Sequence, residues 1–137
     1  MKKIKFVLIL ITITLSIFTS CQSTTELDTS AINKNVTIAA RIAAIDAYGN
    51  ITLNILTEDL LKANFDYDNK IILEFSNGFL VESSLTVSNN NIEDGQCYIR
   101  TISKDNPITV SVKTKSLAEM GTLQIGDLVQ LSQLIPN

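Results

Sequence analysis

The strongest constraint on the fold is an alternation of apolar and polar residues in short runs that are separated by turn residues. Residues 50–55 and 71–75 show the alternation most clearly. A period of two residues is typical of half-buried β-strands, because successive side chains point to opposite faces of the sheet. The sequence therefore predicts an all-β fold.

The runs predict about seven strands, which we expect over 36–45, 51–55, 71–75, 79–87, 96–102, 108–112 and 128–134. Thr57–Lys62 and Ser116–Met120 each begin with a residue type that caps helices, so we predict one or two short helices there. Ser76-Asn77-Gly78 predicts a hairpin turn, because Asn-Gly accepts positive φ values. Short strands joined by turns indicate a small closed or nearly closed antiparallel β-barrel, with a sandwich as the alternative.

A different pattern occupies residues 1–20. Lys2, Lys3 and Lys5 precede an apolar run, 6–18, that only hydroxyl-bearing residues interrupt. This order is typical of a secretion signal. An uncleaved membrane anchor is the alternative, but a spanning helix needs about 20 predominantly apolar residues. We predict a signal peptide over 1–20.

The end of the leader, Phe18-Thr19-Ser20-Cys21, resembles the lipobox of bacterial lipoproteins, in which a small residue precedes the cysteine that receives lipid. The resemblance implies a chain that starts at Cys21 and is anchored by lipid to the bacterial cell envelope, on its periplasmic or cell-surface face. Residues 21–35, rich in Ser, Thr and Asn, would then be a flexible tether, and 36–137 the barrel domain.

Charge and composition exclude several functions. Removal of the leader leaves 117 of the 137 residues, with eight Lys and Arg against fourteen Asp and Glu, a net charge of −6. Nucleic-acid binding depends on clustered basic residues, so no nucleic-acid partner is expected. Histidine is absent, which excludes Ser-His-Asp and Cys-His nucleophile arrangements and imidazole metal sites. We expect no catalytic residue, no metal site and no cofactor.

Lipidation of Cys21 would leave Cys97 as the lone thiol of the mature chain. Cys97 lies in a strand-like run with no Lys or His beside it to lower its pKa. We predict a buried structural cysteine.

The candidate ligand-binding residues are Asp46, Tyr48, Asn50 and Asn54, in and just after a connection between two predicted strands. The Asn50 amide can pair with a donor and an acceptor on one edge of a base, and the neighbouring aromatic ring can stack on its face. Asn54 shares the polar face of the strand with Asn50. The same residues also fit an Asp-x-x-Gly-Asn turn before a strand with a solvated outer face, and the residue types alone favour that simpler interpretation.

Asp46-x-Tyr48-Gly49-Asn50-x-x-Leu53-Asn54-Ile55 resembles the Asp-x-Phe-Gly-Asn-x-x-Thr-Asn-Ile signature of one enzyme family. The family is the S-adenosylmethionine hydroxide adenosyltransferases, relatives of the fluorinating and chlorinating enzymes, and the signature belongs to their C-terminal barrel. Ser116–Val129 is similar to the closing segment of that barrel, with its Leu-x-x-Gly-Asp-x-Val pattern. The resemblance covers roughly Thr37 to Ser132.

The resemblance implies a small barrel that, in the family, follows an N-terminal α/β domain and shares its ligand with a neighbouring subunit of a trimer. There, water or halide displaces methionine from the ribose carbon. Carried over, Asn50 would contact the adenine edge, Tyr48 would pack beside it, and Asp46 would meet the methionine ammonium. The departures are Leu53 in place of Thr, Lys104–Ile108 in place of the carboxylate-binding segment, and the α/β domain, which we expect to be missing.

Two functions from different classes follow as expectations. The first is a non-catalytic envelope lipoprotein whose barrel binds a protein partner, a further copy of itself or a small ligand. The second is an adenosine- or S-adenosylmethionine-binding half of an adenosyltransferase or hydrolase that needs a separate N-terminal partner. The altered carboxylate segment favours the first function. The exported location does too, because S-adenosylmethionine is a cytoplasmic metabolite.

Overall fold

The computed structural model describes residues 35–134. The predicted signal peptide, the lipidation site Cys21 and the tether up to residue 34 lie outside the described residues. The strands are β1 Asn35–Ile45, β2 Ile51–Leu56, β3 Ile71–Phe75, β4 Leu80–Ser83, β5 Leu85–Thr86, β6 Cys97–Arg100, β7 Pro107–Val112 and β8 Leu128–Leu134. The helices are α1 Thr57–Lys62 and α2 Leu117–Gly121.

The eight strands form one sheet in the order β4-β3-β8-β1-β2-β7-β6-β5. Neighbouring strands are antiparallel, except that β5 and β6 pair in parallel through Leu85 and Ile99. β4 and β5, at opposite ends of the sheet, are separated in sequence by Ser84 alone, whose carbonyl accepts a hydrogen bond from the Ile99 amide at 2.9 Å. The chain thus passes from one sheet edge to the other at Ser84. The result is a nearly closed all-β barrel, as predicted.

Apolar and polar residues alternate along the strands, so one face of each strand lies in the core. Ile51 and Leu53 of β2 and Ile71 and Leu73 of β3 are completely buried. Strand β1 pairs with β8 along its first part and with β2 along its last part, with an irregularity in register between Ile42 and Ala44. Such a bulge bends a strand, and here it allows β1 to join the two halves of the barrel.

Local signals in the sequence are mostly confirmed. The Asn77-Gly78 turn joins β3 to β4, with φ +87° at Gly78 and the Asn77 side chain accepting a hydrogen bond from the Phe79 amide. The predicted strand 79–87 is instead two strands, because the chain bends at Ser84 to reach β6. Cys97 is buried, and this burial raises the pKa of its thiol to about 11.

Both predicted helices are present. The Ser116 hydroxyl caps α2 by accepting a hydrogen bond from the Glu119 amide at 3.1 Å. Thr57, the expected cap of α1, is its first helical residue, and the Asp59 carboxylate accepts from the preceding Leu56 amide at 2.8 Å. Within residues 35–134, neither helix has the length and apolar character needed to cross a bilayer.

Candidate functional site

The connection between β1 and β2 is a tight turn built around the Asp46 carboxylate. Asp46 Oδ1 accepts hydrogen bonds from the backbone amides of Tyr48 and Asn50, at 2.9 and 3.0 Å, and Oδ2 accepts from Asn50 Nδ2 at 2.8 Å. The side-chain bond from Asn50, helped by the backbone amides, holds the pKa of Asp46 below its ordinary value of 3.8. These are the contacts of the Asp-x-x-Gly-Asn turn expected from the residue types.

The same bonds fix the orientation of the Asn50 amide. A side-chain amide has two N–H donors and one carbonyl acceptor. One donor is used by Asp46 Oδ2, and no hydrogen bond within residues 35–134 uses Asn50 Oδ1. Asn50 therefore keeps one donor and its acceptor for another molecule, in an orientation that Asp46 determines.

Tyr48 and Asn50 lie at the edge of an open cleft of about 480 Å³, which we call the Tyr48 cleft. The Tyr48 side chain is 81% exposed, whereas Tyr98 of β6, which also lines the cleft, is 9% exposed. The remaining lining residues come from the loop before β6, from the end of β7 and from the connection between β7 and α2: Asn89, Val112, Lys113, Thr114, Lys115 and Ser116.

The β1–β2 turn is joined to the start of α2 by an unusually close contact. Gly49 is buried with φ +80°, and a Cβ atom added there would lie 1.8 Å from Ser116 Oγ. The Gly49 carbonyl also accepts a hydrogen bond from the Ala118 amide at 3.0 Å. The two segments that carry the family resemblance, 46–55 and 116–129, therefore contact each other beside the Tyr48 cleft.

Asn54, the fourth predicted ligand-binding residue, has a different position. Its Oδ1 accepts a hydrogen bond from the Arg41 backbone amide at 2.7 Å, next to the bulge in β1, and it does not line the Tyr48 cleft. The structure thus brings Asp46, Tyr48 and Asn50 together and places Asn54 with the structural contacts of β1.

Several cleft residues were not foreseen from the sequence, among them Tyr98, Lys113 and Lys115. The sequence offered one signal for Lys113 and Lys115, because both lie just before the 116–129 segment that carries the family resemblance. Tyr98 gave no such signal, because only its position in β6 brings it to the cleft. Among the described residues, no three His, Cys, Asp or Glu side chains cluster in a way that would hold a metal ion.

A second turn of the barrel repeats the chemistry of the first. Asp66 Oδ1 accepts from the backbone amides of Asp68 and Asn69, and Asp66 Oδ2 accepts from Asn69 Nδ2 at 2.9 Å. Asn69 does not line the Tyr48 cleft. The Asp66 turn therefore has the same kinds of hydrogen bonds as the Asp46 turn but does not line the cleft. It can serve as a control for effects that come from turn formation alone.

One of the comparisons with known proteins supports the fold. No protein-family model matches the sequence, and no curated protein matches it. An uncharacterized conserved protein from Thermotoga maritima has a similar crystal structure, with a TM-score of 0.61 and 16% identity over 68% of this chain. A conserved hypothetical protein from Thermus thermophilus has a TM-score of 0.48 and 17% identity over 68% of this chain. The match spans 35% of the Thermotoga protein and 34% of the Thermus protein, so the matched part of this chain covers about a third of the length of each.

Proposed function

We propose that this protein is an exported, lipid-anchored, non-catalytic binding protein of the bacterial envelope, and that the Tyr48 cleft is its ligand surface. The observation that carries the proposal is the geometry of Asn50. Asp46 orients its amide, one donor and the acceptor remain unused among the described residues, and the exposed Tyr48 ring lies beside it. A few oriented polar groups next to aromatic surface are the usual composition of a small-molecule site.

Comparison with the Asp66 turn shows which features of the Asp46 turn are not needed to form the turn itself. Its tyrosine, Tyr67, is 45% exposed, and its hydroxyl is within hydrogen-bond distance, 3.0 Å, of Thr101 Oγ1. Tyr48 is 81% exposed, and its hydroxyl has no hydrogen-bond partner in residues 35–134. The ring of Tyr48 is therefore available to a ligand, whereas that of Tyr67 is tied to the barrel.

The ligand class that fits best is a purine nucleoside of the adenosine type. An asparagine amide can accept from the exocyclic amine of adenine and donate to the adjacent ring nitrogen. Within residues 35–134, Oδ1 and one Nδ2 hydrogen of Asn50 are not used. The Tyr48 ring can stack on a base, an interaction worth about 1–3 kcal/mol in other proteins. Together these two contacts would recognise the base without any reacting group.

The contact between Gly49 and Ser116 favours a second candidate function, an adenosine- or S-adenosylmethionine-binding half of an adenosyltransferase or hydrolase. The two residues belong to the segments that resemble that family, and they meet beside the cleft. The cleft is open to solvent, however, and displacement at the ribose carbon needs both reactants held in line and shielded from water. A separate protein would have to complete such a site.

Calorimetric titration of the full-length protein in detergent tests the proposal. We expect adenosine to bind, and Asn50→Ala to weaken the binding about tenfold or more, because a good bidentate base contact is worth about 1–3 kcal/mol. Tyr48→Ala should also weaken it. Asn69→Ala removes the equivalent amide of the Asp66 turn and should leave the Kd unchanged.

The results of these titrations distinguish the two candidate functions. Failure of adenosine to bind, or an equal loss of affinity in Asn50→Ala and Asn69→Ala, contradicts the proposed site. If S-adenosylmethionine competes with adenosine, the result supports the adenosyltransferase half. If adenosine binds and S-adenosylmethionine does not compete, the result supports the binding protein.

A further inference from the structure

The charged side chains that line the Tyr48 cleft are two lysines, although the protein is acidic. The chain has a formal net charge of −3 at pH 7, yet the lining of the cleft includes Lys113 and Lys115 and no Asp or Glu. The groove beside α2, by contrast, includes Glu119. The charge of the Tyr48 cleft is thus opposite to that of the whole chain.

Lys113 is anchored to the loop before β6. Its Nζ donates a hydrogen bond to the Ile92 carbonyl at 2.7 Å and lies 3.8 Å from Asp94 Oδ1. The Asp94 side chain is 74% exposed, so water and salt weaken this ion pair. Lys113 therefore keeps a positive charge at a fixed place in the cleft.

Lys115 is less engaged than Lys113. Its Nζ has no ion pair and no hydrogen bond with any other residue of 35–134, and a Cβ atom added at Gly95 would lie 3.7 Å from it. Glu93 and Asp94 directly precede Gly95 in the sequence, and neither is within ion-pair distance of Lys115. The Asp46 carboxylate already accepts three hydrogen bonds within its own turn. The ammonium of Lys115 therefore has donors free for an incoming anion.

We propose that the ligand of the Tyr48 cleft carries a phosphate beside its base, so that its class is a nucleoside phosphate such as adenosine monophosphate. The inference rests on the proposed function. Asn50 and Tyr48 would hold the base, and Lys115, with Lys113 behind it, would contact the phosphate. A cleft of about 480 Å³ is within the usual size range of small-molecule sites, about 300–1,000 Å³. The same charges disfavour S-adenosylmethionine, whose sulfonium is positive.

Titrations of the full-length protein with adenosine monophosphate and adenosine, at low and high salt, test this inference. At low salt we expect the Kd of adenosine monophosphate to be up to about fivefold below that of adenosine, the range for an exposed ion pair. High salt should reduce this advantage, because it screens exposed charges, and should leave adenosine binding nearly unchanged.

Substitutions of single lysines test which side chain contacts the phosphate. Lys115→Gln should remove most of the advantage of the phosphate, and Lys115→Arg should retain it because the charge remains. Lys104→Gln removes an exposed lysine that does not line the cleft and serves as the matched control.

Equal Kd values for the two ligands, with the loss in Asn50→Ala preserved, would overturn the phosphate contact and leave the proposed function standing. An advantage that persists in Lys115→Gln and in Lys113→Gln would also overturn it. Binding of neither ligand would overturn both proposals.

Discussion

Gly49 and Ser116 lie so close together that a Cβ atom on Gly49 would be 1.8 Å from Ser116 Oγ. Through this contact and the hydrogen bond from the Ala118 amide to the Gly49 carbonyl, the β1–β2 turn is fixed against the start of α2. The position of Tyr48 and Asn50 relative to the β7–α2 connection therefore depends on the absence of a side chain at residue 49.

Gly49→Ala should destabilise the barrel by about 2–5 kcal/mol. The positive φ costs about 1–2 kcal/mol for an L-residue, and the overlap with Ser116 adds about 1–3 kcal/mol. Gly78→Ala is the matched control, because its φ is also positive, +87°, and no heavy atom lies within 4 Å of the added Cβ. Chemical denaturation should show a smaller loss for Gly78→Ala, and equal losses would contradict the packing argument.

Asn50→Ala should raise the pKa of Asp46 toward its ordinary value of 3.8, because the side-chain bond from Asn50 is the largest cause of the lowered value. A carboxyl whose pKa is lowered by folding contributes stability above its unfolded pKa, and this contribution is lost as the pH falls through the folded pKa. The variant should therefore lose less stability than the wild type on acidification below about pH 4. Carboxyl-carbon NMR titration of Asp46 measures the shift directly, and an unchanged midpoint would show that the amide bond does not hold the carboxylate in solution.

Stability should fall in alkaline solution because of Cys97. The thiol ionises near 9.0 without the protein environment and near 11 when buried in the barrel. The folded state therefore holds the proton more tightly. The contribution of Cys97 to the free energy of unfolding is complete below pH 9.0 and is lost as the pH rises toward 11. The total loss is at most roughly 3 kcal/mol. Denaturation of wild type and Cys97→Ala at several pH values isolates the effect, since other groups titrate equally in both. Parallel pH profiles would be the contrary result.

Cys21→Ala tests the proposed anchor. Diacylglycerol and an acyl chain on Cys21 would supply the two or more chains that stable membrane attachment requires. We expect the wild type to be found in the membrane fraction with a mass raised by lipid, and the variant to lose that added mass. A wild-type mass without lipid, or a variant with the same membrane attachment and mass as the wild type, would contradict the lipoprotein proposal.

The parts of the fold that depend on local chemistry were predictable. The turn at Asn77-Gly78 follows from the backbone freedom of those residues, and the alternation in β2 and β3 reflects the burial of one face. The bend at Ser84 was not predictable, because it exists only where the two sheet edges approach each other. The same is true of Gln133 in β8. It is 1% exposed and bonded to the Asp66 amide and the Asn64 carbonyl, contacts that require the folded barrel.

Some residues of the candidate site were predictable from the sequence, and others reach the site only in the folded barrel. Asp46, Tyr48 and Asn50 are neighbours in sequence, so their hydrogen-bonded turn was predictable from the residue types. Tyr98 reaches the cleft only through the pairing of β6 with β7, which no local pattern reveals, whereas Lys115 lies next to the 116–129 segment in the sequence. Asn54 shares the polar face of β2 but bonds to Arg41, because the bulge in β1 presents a free backbone amide there.

A backbone-amide NMR map of the protein titrated with adenosine tests directly whether the Tyr48 cleft is the ligand surface. We expect the largest shift changes at residues 46–50 and 112–116, on the two sides of the Tyr48 cleft, with little change over the Asp66 turn at 66–69. No shift changes at saturating adenosine, or changes centred elsewhere on the barrel, would contradict the proposed ligand surface.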